Sequence, residues 1–161
     1  RLPPRSTLFP YTTLFRSKAI EGLNNVGVIF IGGGPIKLSG DQIVFNGLVQ
    51  ASEVPVLLNC ADVFVLPTLH EGSNNSIIEA MACALPIITS DIPEVRSQCD
   101  PSFATFIDPM DPLAIREAVI RLRDDNGLRE KMSVHAKEWV KRFDLNERAN
   151  RILSFIHNQL L

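Results

Sequence analysis

From position 26 onward the chain alternates short apolar runs with stretches of helix-like periodicity. VGVIFI at 26–31 is unbroken and stops at GGGP, the pattern of a strand buried on both faces. QIVFNG at 42–47, ADVFVLP at 61–67, LPIITS at 85–90 and FATFID at 103–108 repeat the theme. Between them, 52–60 and 76–84 have helical composition, and 92–99 predicts a short helix or turn. Five buried strands alternating with helices predict an α/β fold, a Rossmann-like doubly wound parallel sheet. Only ten residues, 32–41, join the first two strands, just short of the dozen or so that a parallel crossover needs. Either that link is an irregular loop without its helix, or the two strands are not sheet neighbours. Beyond 110 the pattern turns helical: 111–124, a break at Asn126-Gly127, then 128–142 and 145–161. Asp111-Pro112 makes a good helix start, with a capping acid and a first-turn proline. These mixed-charge helices are expected to shield the sheet and close the domain. No internal repeat is visible.

Composition narrows the class. A chain of 161 residues, 45% of them apolar, suffices for one globular domain, and 7% aromatics make its core aliphatic. No apolar run approaches the ~18 residues of a membrane-spanning helix. Cys60, Cys83 and Cys99 are odd in number and lack CxxC spacing, which points to a reducing, cytoplasmic setting rather than a disulfide framework. Residues 1–17 stand apart. They contain no acid, and they lack the continuous apolar stretch of ~7–15 residues of a secretory signal. TLFPYTTLFRS at 7–17 is what one reading frame of a widely used short-read sequencing adapter encodes. We read 1–17 as translated adapter, disordered and outside the domain 18–161; the alternative is a natural disordered leader. Without that head, 18–110 carries three cations against ten acids, net −7, and 111–161 carries ten against eight, net +2. No basic stripe for nucleic acid is present.

Candidate chemistry concentrates in PTLHEGSNNSIIEAMACALPIITSD at 67–91, which reads as strand end, polar loop, helix and strand. Ligands of open parallel sheets sit at the carboxyl ends of the strands, so HEGSNN is the expected site. Gly72 lets a backbone approach a ligand closely. Ser73, Asn74, Asn75 and Ser76 lead into a helix whose first N–H groups suit an anion such as a diphosphate. Glu71 precedes the helix and Glu79 lies about one turn inside it, where a carboxylate can accept paired hydrogen bonds from vicinal ribose hydroxyls. Plainer readings stand beside these. Ser76 and Glu79 also have capping-box spacing, and Glu71 can be an ordinary loop acid. Ile77, Ile78, Met81, Ala82 and Cys83 read as core. His70, His135 and His157 are scattered, with no metal-ligand spacing; His70 could reach a ligand at the loop or be a simple loop histidine.

Over 18–161 the chain resembles the C-terminal, donor-binding domain of retaining GT-B glycosyltransferases of family 4, the glycosyl transferases group 1. The strongest element is the pair Glu71 and Glu79, seven residues between them, followed by AMACALPII where the family shows AMAxGxPVI. FIGGGP at 30–35, IVFNGLV at 43–49, ADVFVLPT at 61–68, Asp91 and IDPMDPLAI at 107–115 match in the right order. The resemblance implies metal-independent transfer from a nucleotide-sugar donor, with retention and no further cofactor. It implies Glu71 as the catalytic residue, beside the transferred sugar, touching its hydroxyls and supporting charge development at the anomeric carbon. Gly72 and the amides of Ser73, Asn74, Asn75 and Ser76 would hold sugar hydroxyls and diphosphate, Glu79 the ribose, and Gly47, Leu48 and Val49 the nucleobase. It also implies an acceptor glycan or lipid-linked sugar bound by an N-terminal domain, and a cytoplasmic protein, peripheral at the inner membrane face.

Departures matter as well. Ala84 stands where most members carry Gly, and Ile87-Ile88 replaces Val-Ile. The family's phosphate-clamping Arg and Lys lie upstream of the first strand, where this chain has the adapter-like head. Lys18 lies too late to be the clamp, in what reads as the tail of the helix before that strand. The expectation is a truncated transferase that folds but binds donor weakly and is inactive by itself. A noncatalytic nucleotide-sugar-binding module and a nucleotide-sugar epimerase of the same architecture are the alternatives. Gly32 and Gly34 place Lys37 where a dinucleotide fingerprint needs its third glycine, so that reading fails.

Overall fold

A computed structural model of the chain describes residues 18–33, 40–72, 74–144, 149, 153–155 and 157. Its elements, in order, are β1 (Val28–Ile31), β2 (Ile43–Gly47), α1 (Val54–Leu58), β3 (Phe64–Leu66) and α2 (Asn75–Ala82). Then come β4 (Ile87–Ser90), α3 (Pro93–Arg96), β5 (Ala104–Ile107), α4 (Pro112–Asp124), α5 (Asn126–Trp139) and a 3₁₀ turn, Val140–Phe143. All five strands fall within their expected runs, and every pairing is parallel. The head at 1–17 and most of the helix expected over 145–161 lie outside the described residues; 149, 153–155 and 157 are helical.

The sheet departs from the expected single sheet of five. Among the described residues β1 pairs with β2, β3 pairs with β4, and β4 pairs with β5, so hydrogen bonding divides the strands into a pair and a triplet. Since β1 and β2 are direct neighbours, the alternative that they are separated is excluded; of their link, 34–39 lies outside the described residues.

Burial also differs from five strands buried on both faces. Only β4, flanked by a strand on either edge, is buried at all four positions. β2 alternates half-buried and exposed residues, with Val44 73% exposed, because it is an edge strand with one face open to solvent. Among the described residues β1 has a partner on one edge only, and it buries just Phe30.

The core lies around β4. Ile77, Ala80 and Met81 of α2 pack with Ile87 and Ile88 of β4, Phe103 before β5, and Ile115 and Leu122 of α4. Each large apolar side chain buried there stabilises the fold by about 1.5–3 kcal/mol. Ile115, Ala118 and Leu122 recur at helical spacing on α4, which fixes the face it buries. Asp111 caps α4 by accepting from the Leu113 N–H at 2.8 Å. Asp125 ends α4 and caps α5, its Oδ1 accepting from the Leu128 N–H at 2.8 Å. The helix break therefore falls one residue before Asn126-Gly127, which form the first turn of α5. At the amino end, residues 18–20 are helical, as expected for a helix tail. Arg116 Nη1 donates to the carbonyls of Ala19 (3.1 Å) and Glu21 (2.7 Å), and Arg123 Nη1 to that of Asn24 (3.2 Å).

The carboxyl end of α2 explains the departure at Ala84. The Leu85 N–H donates to the Ala80 carbonyl at 3.0 Å and the Ala84 N–H to that of Met81 at 2.9 Å. Those two bonds make a Schellman ending, whose pivot is here an alanine at φ +58°, in the left-handed region. A Cβ in that region costs roughly 1–2 kcal/mol, of which glycine's greater unfolded-state freedom offsets a part. Ala84→Gly is expected to stabilise the protein by about 0.5–1 kcal/mol, read as a raised urea midpoint with an unchanged m-value.

Candidate functional site

The loop after β3 is held down by buried hydroxyls. Thr89 and Ser90 of β4 are fully buried, so their oxygens need partners. The Thr89 hydroxyl donates to the Leu66 carbonyl at 3.0 Å, and Ser90 Oγ accepts from the Thr68 N–H at 2.6 Å. The Thr68 hydroxyl in turn donates to the His70 carbonyl at 3.1 Å. The chain thus leaves the sheet at Pro67 on a fixed course, and presents an exposed His70 and a half-buried Glu71.

The helix start beyond the loop is capped two residues earlier than the capping box would have it. Asn74 Oδ1 accepts from the Ser76 N–H at 2.9 Å and from the Ile77 N–H at 3.3 Å. Ser76 is consequently inside α2, its N–H already bonded, and Glu79 is not its capping partner. The Asn74 N–H donates to Gln98 Oε1 at 3.1 Å, and the Gln98 carbonyl accepts from Trp139 Nε1 at 2.9 Å. Asn74 is nearly buried. Both its N–H and its side-chain oxygen serve the fold, where a ligand-holding amide was expected. Ser73 lies outside the described residues. Of the other expected donors at this helix mouth, the Ser76 N–H is engaged internally; the Asn75 residue is exposed.

A cavity of about 730 Å³ is lined by β1 and β3, by residues of α1 and α4, and by Ser76 and Glu79 of α2. α2 follows β3, so Ser76, near the start of that helix, belongs to the carboxyl-end side of β3, where parallel α/β sheets place ligands. A second grouping forms at the end of β2. The Gly32 N–H donates to the Gly47 carbonyl at 2.9 Å, and a Cβ on Gly33 would stand 3.4 Å from the Leu48 side chain. Gly47 and Leu48 are therefore brought against the glycine turn, with Leu48 80% exposed and Val49 half-buried beside it. Glu71, Gly72 and Asn75 line neither the cavity nor this turn. At Gly72 an added Cβ would meet nothing within 4 Å, and its φ is not left-handed, so the fold itself makes no demand for glycine there.

Electrostatics around the site are dominated by acids. Arg96 forms a two-point ion pair with Asp91, just past β4, Nη2 to Oδ2 at 2.9 Å, and lies 4.3 Å from the centre of the Phe106 ring. The hydrogen bond from Arg96 holds the Asp91 carboxyl below the usual carboxylate range. The pair's contribution to stability is present at neutral pH and is lost as pH falls through that lowered value. The Cys83 thiol is pushed up by burial and then by the nearby Glu79 charge. Burial alone pushes Cys99 up to about 12, which leaves it inert as a nucleophile. Sequence reasoning missed Gln98 and Trp139, which brace the helix mouth, and the Thr68–Ser90 pair, which braces the loop. Gln98 carries no motif; burial of a polar side chain is its one signal, and that appears only in three dimensions.

Solved structures share this fold. A sucrose-phosphate synthase from Thermosynechococcus elongatus superposes with a TM-score of 0.75 at 22% identity, over 92% of this chain and 41% of that one. A glycosyltransferase from Rickettsia africae gives 0.74 at 15% identity, over 98% and 46%. The fold is thus that of a Rossmann-like domain of GT-B glycosyltransferases. The profile of the family described as glycosyl transferases group 1 matches residues 15–125, and the chain belongs to that family. Among curated relatives, TuaC of Bacillus subtilis (strain 168), named as a teichuronic acid biosynthesis glycosyltransferase, is 31% identical over 140 residues, 84% of this chain and 36% of TuaC. A sulfoquinovosyl transferase of Arabidopsis thaliana is 26% identical over 145 residues, 83% of this chain and 28% of the relative. The chain therefore spans about a third of the length of these relatives.

The cap and the loop glycine make opposite predictions. Asn74→Ala removes a buried cap and should cost about 1–2 kcal/mol. Gly72→Ala should stay within about 0.5 kcal/mol of the parent stability. Urea unfolding followed by Trp139 fluorescence measures both.

Proposed function

We propose that the full-length protein transfers a sugar from a nucleotide-sugar donor to an acceptor glycan or lipid-linked sugar, with retention of anomeric configuration and without a metal ion. The observation that carries this reading is the placement of Ser76 and Glu79 on one cavity with β1 and β3, in a chain of the group 1 family. In it, Glu79 grips the ribose through paired hydrogen bonds to the vicinal hydroxyls. Gly47, Leu48 and Val49 line the nucleobase slot, adjoining the glycine turn after β1. The open space at Gly72 admits the diphosphate or the sugar, and the helix mouth at Asn75 contributes its positive end. Glu71 lies beside the transferred sugar and supports positive charge on the anomeric carbon as its bond to the diphosphate breaks. The diphosphate leaves with the bonding electrons and takes up the proton of the acceptor hydroxyl, whose oxygen bonds to the same face of the anomeric carbon. Acceptor choice falls to a domain beyond these residues. No described helix is long and apolar enough to cross a membrane. The reading puts the protein in the cytoplasm, at the inner face of the membrane where the acceptor is lipid-linked.

By itself the 161-residue chain is proposed to hold donor weakly and to catalyse nothing. Residues 18–110 carry three cations against ten acids, and one of those cations, Arg96, is committed to Asp91. The Asn74, Ser76 and Ile77 N–H groups are committed to the fold. A helix end contributes only about 0.3–1 kcal/mol toward an anion, a poor counterweight to that field. Calorimetry of this chain with UDP- and GDP-sugars should show no micromolar binding. In the full-length protein Glu71→Gln should abolish transfer while donor binding persists. Unchanged transfer would identify a binding module in place of an enzyme.

A further inference from the structure

Two uses of one carboxylate compete at the start of α2. Ser76 and Glu79 have the spacing of a capping box, in which the glutamate folds back onto the serine N–H. That use would take the carboxylate away from the cavity that Glu79 lines. Asn74 decides between them, because its Oδ1 already accepts from the Ser76 N–H at 2.9 Å and from the Ile77 N–H at 3.3 Å. The helix therefore begins at Asn75, and Glu79 stands exposed, with no donor to its carboxylate among the described residues. Asn74 is one of several polar residues that could cap here, and its backbone singles it out. Its N–H is pinned to Gln98 Oε1 at 3.1 Å. Gln98 is only 5% exposed, and both its backbone groups are occupied. Its N–H donates to the Val95 carbonyl at 2.9 Å, and its carbonyl accepts from Trp139 Nε1 at 2.9 Å. Trp139 is held in turn by Phe103, with ring centres 5.7 Å apart, and by the Arg142 guanidinium, 3.7 Å from its ring centre. A buried donor such as the Asn74 N–H has no water to turn to, so this anchor is hard to break.

We propose that Asn74 and Gln98 are positioning residues for the donor: Gln98 holds Asn74 in the capping place, and Asn74 keeps the Ser76 N–H from recruiting Glu79. Both act through Glu79, the carboxylate given to the ribose hydroxyls above, and the inference rests on that reading. Without the cap, the first turn unwinds as far as Ser76 and the capping box closes, with the Glu79 carboxylate bonded to the Ser76 N–H. The new cap offsets part of the lost stability, whereas the ribose loses its acceptor. Stability and ribose recognition thus part company, which separates this role from plain support of the fold.

The test is calorimetry of the full-length protein with UDP and 2′-deoxy-UDP and with the corresponding GDP pair, the tighter-binding pair being used throughout. The parent should prefer the ribonucleotide by about tenfold or more, as expected for a hydrogen bond to a charged group, and Glu79→Gln should lose most of that preference. Asn74→Ala and Gln98→Met should lose it to the same extent with Glu79 intact. Asn74→Asp, which keeps the capping oxygen, should retain it. Urea unfolding followed by Trp139 fluorescence establishes which variants are folded at the assay temperature; if Gln98→Met is not, Asn74→Ala and Asn74→Asp decide. A folded Asn74→Ala or Gln98→Met that keeps the parent's preference, even with weaker binding of both nucleotides, overturns the proposal. Loss of preference in Asn74→Asp as complete as in Asn74→Ala overturns it as well. In both cases the donor reading survives. A parent that binds neither pair, or that shows no ribose preference dependent on Glu79, sinks that reading and this inference with it.

Discussion

A parallel strand covered by helices has water on neither face, so its backbone polar groups must find partners along both edges or stay unsatisfied. β4 meets that demand fully, with β3 on one side and β5 on the other, and the best-buried part of the molecule gathers around it. Among the described residues β1 and β3 meet it on one edge each. The distribution of order follows from this difference: all four residues of β4 are buried, whereas β1 buries one and β2 turns alternate residues to solvent. The same difference places the cavity and the polar residues that open onto it.

The candidate site inherits its geometry from the well-paired half. Two buried hydroxyls on β4 tie down the strand end and the loop, and one asparagine closes the helix start while being held by Gln98. Each of these bonds satisfies a buried polar group, a condition the fold would impose with or without a ligand. What is left over is more informative. Glu79 is released from capping, Gly72 is a glycine that no described residue requires, and Leu48 lies exposed over a glycine turn. Residues that the fold does not use are the ones a donor could.

Strand positions were legible because unbroken β-branched runs bounded by Gly and Pro have few other readings, and each of the five expected runs holds a strand. Pairing was less legible. A run such as VGVIFI looks the same whether it has one neighbour or two, since the number of neighbours depends on residues far away. The helix start at Asn74 was ambiguous because the segment SNNS offers four capping side chains in a row, and packing against Gln98 chose among them. The pair Glu71 and Glu79 was readable as a motif; that the cavity takes in one and not the other was not. Trp139 reads in the sequence as one more apolar position, yet its N–H reaches the carbonyl of Gln98.

The junction between α4 and α5 has a consequence for how the chain tolerates changes in length. Asp125 finishes one helix and starts the next, and Arg129, from the first turn of α5, returns Nη1 to the carbonyls of Leu122 and Arg123 at the close of α4. The connection has no slack. One added residue would turn the second rod by roughly 100° about its axis and swing Met132 and Ala136 out of the interior. Insertions and deletions should therefore accumulate in the open loops and spare this joint, which works as a rigid elbow.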